Sequence, residues 1–164
     1  MTNKYTIKTK RLILREIESG DAETIVRWRS DPKVYQYFRS PHALTMEEHL
    51  AWFENGYLGN EDIVSWIGSA EGRLIGVFGA KRISFSEAEV SYLVAQKFQN
   101  RGYAREAVEG ICQWISSNWN VILITAEIHS KNIVSQNFIQ ALGFSETGGR
   151  EGYIKYYRKV GSIC

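Results

Sequence analysis

The chain has 164 residues, 44% apolar and 23% charged, which fits one globular domain with a substantial core and leaves little room for two. With 20 Lys and Arg against 18 Asp and Glu, the net charge of +2 argues against nucleic acid or an anionic membrane as a partner. No run approaches the roughly 18 apolar residues of a membrane span, and the opening MTNKYTIKTKRLILRE lacks an apolar signal core, so a cytoplasmic location is expected.

RLILREI, 11 to 17, alternates as a strand. SGDAETIVRWRSD carries capping residues into a helix whose Ala22, Ile25, Val26 and Trp28 share a buried face, and Pro32 is expected to end it. TMEEHLAWFENG, 45 to 56, reads as a second helix, with Thr45 as N-cap, Glu48 in the capping-box position and Gly56 at the far end. IVSWIGS and RLIGVFGAKRISF flank a short AEG turn as a hairpin, and EVSYLV is a central strand. A helix follows from 104 to about 117, with Ala104, Ala107, Val108 and Ile111 on one face. VILITAEIH is a strand, NIVSQNFIQALGF a helix stopped by Gly143, and REGYIKYYRKV the last strand. This order predicts a single α/β domain over 1–164, a mixed sheet with helices on both faces.

The loop QKFQNRGYA joins the central strand to a helix and concentrates Lys97, Arg101 and Arg105 around Gly102. Unpaired N–H groups at a helix start, its dipole and a glycine that admits close approach make such a loop a phosphate cradle. An ordinary tight turn with solvated cations accounts for the same residues. The G-x-G-x-x-G and G-x-x-x-x-G-K-[ST] patterns are both absent, so those nucleotide folds lack their parts. Cys112 and Cys164 form no metal motif, and 3 scattered histidines suggest no metal site.

QNRGYA resembles the Q/R-x-x-G-x-G/A signature of the GNAT superfamily of acyl-CoA-dependent N-acyltransferases. AEVSYLVAQKFQNRGYAREAV and the N-x-x-S pattern from Asn132 to Phe144 are similar to its Rim-type branch, which acetylates protein N-termini among other amines. The openings TKRLILREI and RLIGVFGAKRI fit as well, so the resemblance covers nearly the whole chain. Asn100 departs from it, standing where many members have the first of two glycines.

The resemblance implies a mostly antiparallel mixed sheet splayed at an acetyl-CoA cleft, with acetyl-CoA as cosubstrate and no metal. The acetyl group would pass to a primary amine by direct attack on the thioester. Such a reaction needs a base for the amine proton, a donor for the oxyanion and stabilisation of the thiolate. By resemblance, backbone groups of Tyr92, Leu93 and Val94 meet the pantetheine and thioester, and the amides of Gln99, Asn100, Arg101, Gly102, Tyr103, Ala104 and Arg105 hold the pyrophosphate. The tyrosine that often protonates the thiolate falls at Ile139, and Ser135 matches a serine that the Rim-type branch uses instead. Asn132 caps the helix and also suits the pantetheine amides. Glu89 and Glu127 are candidate bases, acting directly or through water, and each is equally readable as a surface strand residue.

The segment from 28 to 57 holds Trp28, Tyr35, Tyr37, Phe38, Trp52, Phe53 and Tyr57, and its WR-S-DP start and EEHLAWF helix resemble acetyltransferases of nucleotide-linked amino sugars. Those aromatics suit helix core as readily as a ligand cradle. The acceptor is therefore read as a protein N-terminus, a nucleotide-linked amino sugar or a small polyamine-like amine. A sensor or interaction domain that binds acetyl-CoA without turnover is the other class, and a homodimer stays open as an assembly.

Overall fold

The computed structural model describes residues 3–161, and Cys164 lies outside them. Two short strands, β1 (Ile7–Lys8) and β2 (Leu12–Glu16), lead into helix α1 (Ala22–Arg29). The start of α1 is fixed by Asp21, which accepts from the Glu18 N–H at 2.8 Å and from both terminal nitrogens of Arg15 at 2.8 and 2.7 Å. Pro32 does not simply end the first helix. It begins a short second one, α2 (Pro32–Tyr35), behind an Asp31 cap, because proline at a first helical position has no N–H to waste.

Helix α3 (Met46–Trp52) has the expected capping box between Thr45 and Glu48, and runs on as a wider turn through Phe53–Tyr57. The hairpin β3 (Ile63–Ala70) and β4 (Arg73–Arg82) and the central strand β5 (Glu87–Val94) follow. Strand β4 stops at Arg82, short of the sequence expectation, where Ser84 and Ser86 hydroxyls satisfy the turn. Then come α4 (Tyr103–Asn118), β6 (Leu123–His129), α5 (Ile133–Ala141), β7 (Ser145–Arg150) and β8 (Tyr153–Lys159).

The eight-stranded sheet has the order β1-β2-β3-β4-β5-β6-β8-β7. Every neighbouring pair is antiparallel except β5 with β6. Helix α4 is the crossover that a parallel pair requires. One core packs α4 and α5 on the sheet through Val90, Val94, Val108, Ile111, Ile115 and Ile139. A smaller core on the other face joins Ile17, Ile25, Phe53, Tyr57, Ile67 and Val77, which seats α1 and α3. Each fully buried Ile in these cores is worth about 1.5–3 kcal/mol relative to exposure. No helix among the described residues is long and apolar enough to cross a membrane.

Candidate active site

The parallel pairing of β5 with β6 is short. Glu87, Ala88 and Glu89 face Leu123, Ile124 and Thr125, and no further pair forms. β6 nevertheless stays a strand to His129, held by β8, and β5 continues to Val94, held by β4. The sheet is thus splayed between Val90–Val94 and Ala126–His129. On the β4 side the Ala95 and Ile83 N–H groups donate to Ile75 and Glu87 at 2.8 Å, and the register between these points is unbroken. Alternation then turns the backbone groups of Ser91 and Leu93 toward β4 and those of Tyr92 into the gap. The Val94 carbonyl accepts from the Gln99 side chain at 2.9 Å. Of the three expected backbone positions, Tyr92 and Val94 therefore face the opening, the Val94 carbonyl being taken by Gln99, and Leu93 spends its own groups on β4.

At the end of β5 the loop turns through two residues in the left-handed region, Asn100 at φ 62° and Gly102 at φ 81°. Asn is the non-glycine residue best suited to that conformation, which explains how it replaces the usual glycine. Gly102 is the N-cap of α4, so the amides of Tyr103, Ala104 and Arg105 open the helix toward the loop. Lys97, Arg101 and Arg105 are not ion-paired among the described residues.

Arg11 holds this loop, and the sequence reading missed it. Its Nη1 donates to the Arg101 carbonyl at 2.8 Å, its Nε to Glu106 at 2.8 Å, and its guanidinium lies 4.7 Å over the Tyr103 ring. Burial alone would raise the Glu106 carboxyl, but hydrogen bonds from Thr9 and Arg11 hold it below its ordinary value. The signal was present in the K-R-L opening, but nothing local ties residue 11 to residue 101.

Across the gap, Asn132 caps α5, its Oδ1 accepting from the Ser135 N–H at 3.2 Å, so Ser135 is not itself the cap. The Ser135 side chain is partly buried, and Ile139 one turn later is fully buried in the core. Tyr92 packs on this helix.

The opposite face of the sheet carries Glu89. It lines two cavities, one of 340 Å³ among α1, α3 and the strands, the other of 670 Å³ beside β6 and β8, and Lys81 lines both with it. The two cavities thus adjoin at Glu89 and Lys81 and form a trough on this face, next to the point where β5 and β6 part. The Glu89 side chain makes no hydrogen bond or ion pair among the described residues. Burial chiefly, and then repulsion from Glu127, raises its pKa, with Lys81 and Arg39 opposing. Glu127 also reaches the trough but is bonded to Arg39.

The 340 Å³ cavity also contains Arg29, which the sequence did not single out, and His49, which reads there as a structural helix residue. The half-buried Arg29 lines the same cavity, desolvation lowers its pKa, and no carboxylate pairs with it among the described residues; its guanidinium lies 5.7 Å over the Phe38 ring. His49 is buried with an unpartnered Nε2, its pKa lowered by burial first and then by Arg29. Of the aromatics between 28 and 57, Phe53 and Tyr57 are core, whereas Trp52 lines the cavity at 38% exposure. Glu48 is spent on the α3 cap and His42, and Asp62 on Arg82.

A family model for the acetyltransferase (GNAT) domain matches residues 11–145. The uncharacterized N-acetyltransferase YnaD of Bacillus subtilis is 30% identical over 164 residues, covering 94% of this chain and 95% of that one. Uncharacterized protein MJ1062 of Methanocaldococcus jannaschii is 28% identical over 162 residues, and the match spans only 32% of that longer protein. Spermidine N-acetyltransferase from Vibrio cholerae, solved with CoA and spermine, superposes with a TM-score of 0.82 over 93% of this chain and 97% of that one; at 19% identity it shows the fold alone. The matched domain and the near full-length relative establish that the chain belongs to the GNAT acetyltransferase family and is an N-acetyltransferase.

Proposed function

We propose that the enzyme transfers the acetyl group of acetyl-CoA to the primary amine of a nucleotide-linked amino sugar. The observation that carries the acceptor class is Arg29, a half-buried guanidinium with no ion-pair partner among the described residues, in the cavity that also holds the His49 Nε2, which has no partner among them, and Glu89. A half-buried cation with no ion-pair partner gains from an anionic ligand. A diphosphate meets that need, Trp52 offers a face for a base or sugar, and Arg29 and Lys81 repel a polycation.

The residues around the gap fit acetyl-CoA. The free backbone groups of Tyr92 suit the pantetheine and the thioester carbonyl, the first amides of α4 suit the pyrophosphate, and the Asn132 amide nitrogen is left over from capping. When bound, the cofactor supplies the activated acetyl group. Glu89, reached from the trough, takes the amine proton. The Tyr92 N–H donates to the carbonyl oxygen as charge builds there, and Ser135 donates to the sulfur from the α5 side.

Gly102→Val tests the phosphate loop. A β-branched residue is strained at φ 81°, and its Cβ would lie 3.1 Å from Arg11 Nη2, so both loop and brace must shift. The KM for acetyl-CoA is expected to rise at least about 10-fold, with kcat at saturation changed less. An unchanged KM in a folded variant contradicts the phosphate role.

Arg29→Met keeps length and removes charge. It should raise the KM for an anionic acceptor by about 10 to 100-fold, the worth of a charge-assisted hydrogen bond, and leave the KM for acetyl-CoA alone. Its melting temperature should stay close to the wild type's, since the half-buried Arg29 makes no ion pair among the described residues.

Binding tests the reading directly. Acetyl-CoA and uridine diphosphate should each raise the melting temperature and do so additively, since ligands at 100 times their dissociation constants add about 2.7 kcal/mol each. Competition between the two, or no shift with uridine diphosphate, counts against the acceptor class; no shift with acetyl-CoA counts against the cofactor.

A further inference from the structure

The backbone of Tyr92 faces the gap between β5 and β6, but its side chain lies on the α5 face of the sheet. The ring meets Phe138 edge-on, centroids 4.8 Å apart and 60° between planes. Its hydroxyl is buried and has no hydrogen-bond partner among the described residues. Phenylalanine would fill this space without burying an unmatched hydroxyl, so packing alone does not account for tyrosine. Ser135 precedes Phe138 by three residues and shares its side of α5. The Ser135 hydroxyl lies near enough to the phenol to lower its pKa, although the two oxygens do not meet in bond geometry. Meanwhile the helix position that would carry an acid tyrosine holds Ile139, which is fully buried.

We propose that Tyr92 is a positioning residue for the leaving group: its phenol donates a hydrogen bond to Ser135 Oγ, which turns the Ser135 hydroxyl hydrogen toward the sulfur of the departing CoA thiolate. The proposal rests on the reading that places acetyl-CoA in the gap. As the C–N bond forms and the C–S bond breaks, sulfur leaves with the electron pair and the amine proton passes to Glu89. Tyr92 and Ser135 keep their own protons. Burial chiefly pushes the Tyr92 phenol up to about 12, with Tyr156 adding to the rise and Ser135 opposing it, so at neutral pH the phenol is a donor. A donor behind Ser135 also leaves that hydroxyl only one direction in which to donate, and aligned hydrogen bonds polarise each other.

The experiment reads the bound product as well as turnover. The thiolate absorbance of CoA bound to wild type, Tyr92→Phe, Ser135→Ala and the double variant is followed against pH, and kcat and KM are measured on the same samples. Bound CoA should ionise at lower pH in the wild type than free CoA, and Tyr92→Phe should move it back toward the free thiol. The same variant should lower kcat about 10-fold with KM for acetyl-CoA nearly unchanged, and should add little in the Ser135→Ala background. Its melting temperature without ligand should match or exceed the wild type's, because the lost hydroxyl had no partner. An unchanged thiol ionisation and kcat in a Tyr92→Phe enzyme that binds CoA normally overturns this role and leaves the cofactor reading standing. So does a full Tyr92→Phe effect without Ser135. Wild-type enzyme that binds no CoA overturns both.

Discussion

Glu89→Gln should lower kcat by about 10² to 10⁴-fold, the range for losing a positioned general base, with little change in the affinity for CoA. The selectivity follows from the sheet: Glu89 points into the acceptor trough, and the cofactor gap opens beyond the last β5–β6 pair. Glutamine keeps the shape and removes the charge. The pH dependence carries a second, independent sign. A base must be ionised, so kcat/KM should rise as pH climbs through the Glu89 pKa. Burial, with help from Glu127, raises that pKa, which puts the acid limb above the ordinary carboxylate value of about 4.3. Glu127→Gln removes a like charge and frees Arg39, so it should move the acid limb to lower pH. Stability has the opposite preference. A carboxyl whose folded pKa is raised loses stability for the fold as pH rises past its unfolded value, so Glu89→Gln should be no less stable than wild type at neutral pH. Loss of turnover in a variant of equal or higher melting temperature separates catalysis from folding. Wild-type turnover in Glu89→Gln would remove it as the base.

Ser135→Ala carries the other large effect, about 10 to 1000-fold in kcat, comparable at its upper end with loss of one oxyanion donor. The capping geometry sharpens this expectation. Asn132, not Ser135, accepts the bond at the start of α5, so alanine removes no cap and, as a better helix former, should cost little stability. A fall in melting temperature with unchanged kcat would make Ser135 a helix residue only. Ser135→Cys should restore packing better than rate, because a thiol donates more weakly than a hydroxyl.

Local sequence carried far into the fold because most elements announce themselves locally. The capping box at Thr45 and Glu48, the β3–β4 hairpin and the change of period between β5 and α4 are all short-range signals. The last hairpin was not legible. REGYIKYYRKV reads as one strand and is one, β8, but its partner β7 goes unannounced: SETGGR is exposed throughout and bulged between Glu146 and Gly148. No hydrophobic period marks such an edge strand; pairing with β8 alone makes it one. Strand β1, two residues long, is equally silent.

The site divides along the same line. The loop at Asn100 and Gly102 and the Asn132 cap follow from neighbours in the chain. Arg11, Arg29 and His49 do not, because each acquires its place only when distant elements meet. His49 in particular reads as an ordinary residue of an amphipathic helix until the Asp21, Arg29 and Trp52 side chains surround it. Glu89 and Glu127 were equivalent in sequence, and only Arg39, brought from the segment after α2, separates the paired carboxylate from the free one.

The central claim is most directly tested by the initial rate of thiol release from acetyl-CoA, measured with four acceptors side by side: a nucleotide-linked amino sugar, a peptide with a free N-terminus, a polyamine and an aminoglycoside. The nucleotide-linked amino sugar should show the highest kcat/KM, by about 100-fold or more, since a site built around an unmatched cation rejects acceptors that leave it unpaired. That advantage should collapse in Arg29→Met. A polyamine or a peptide turned over faster than the nucleotide-linked amino sugar would contradict the account.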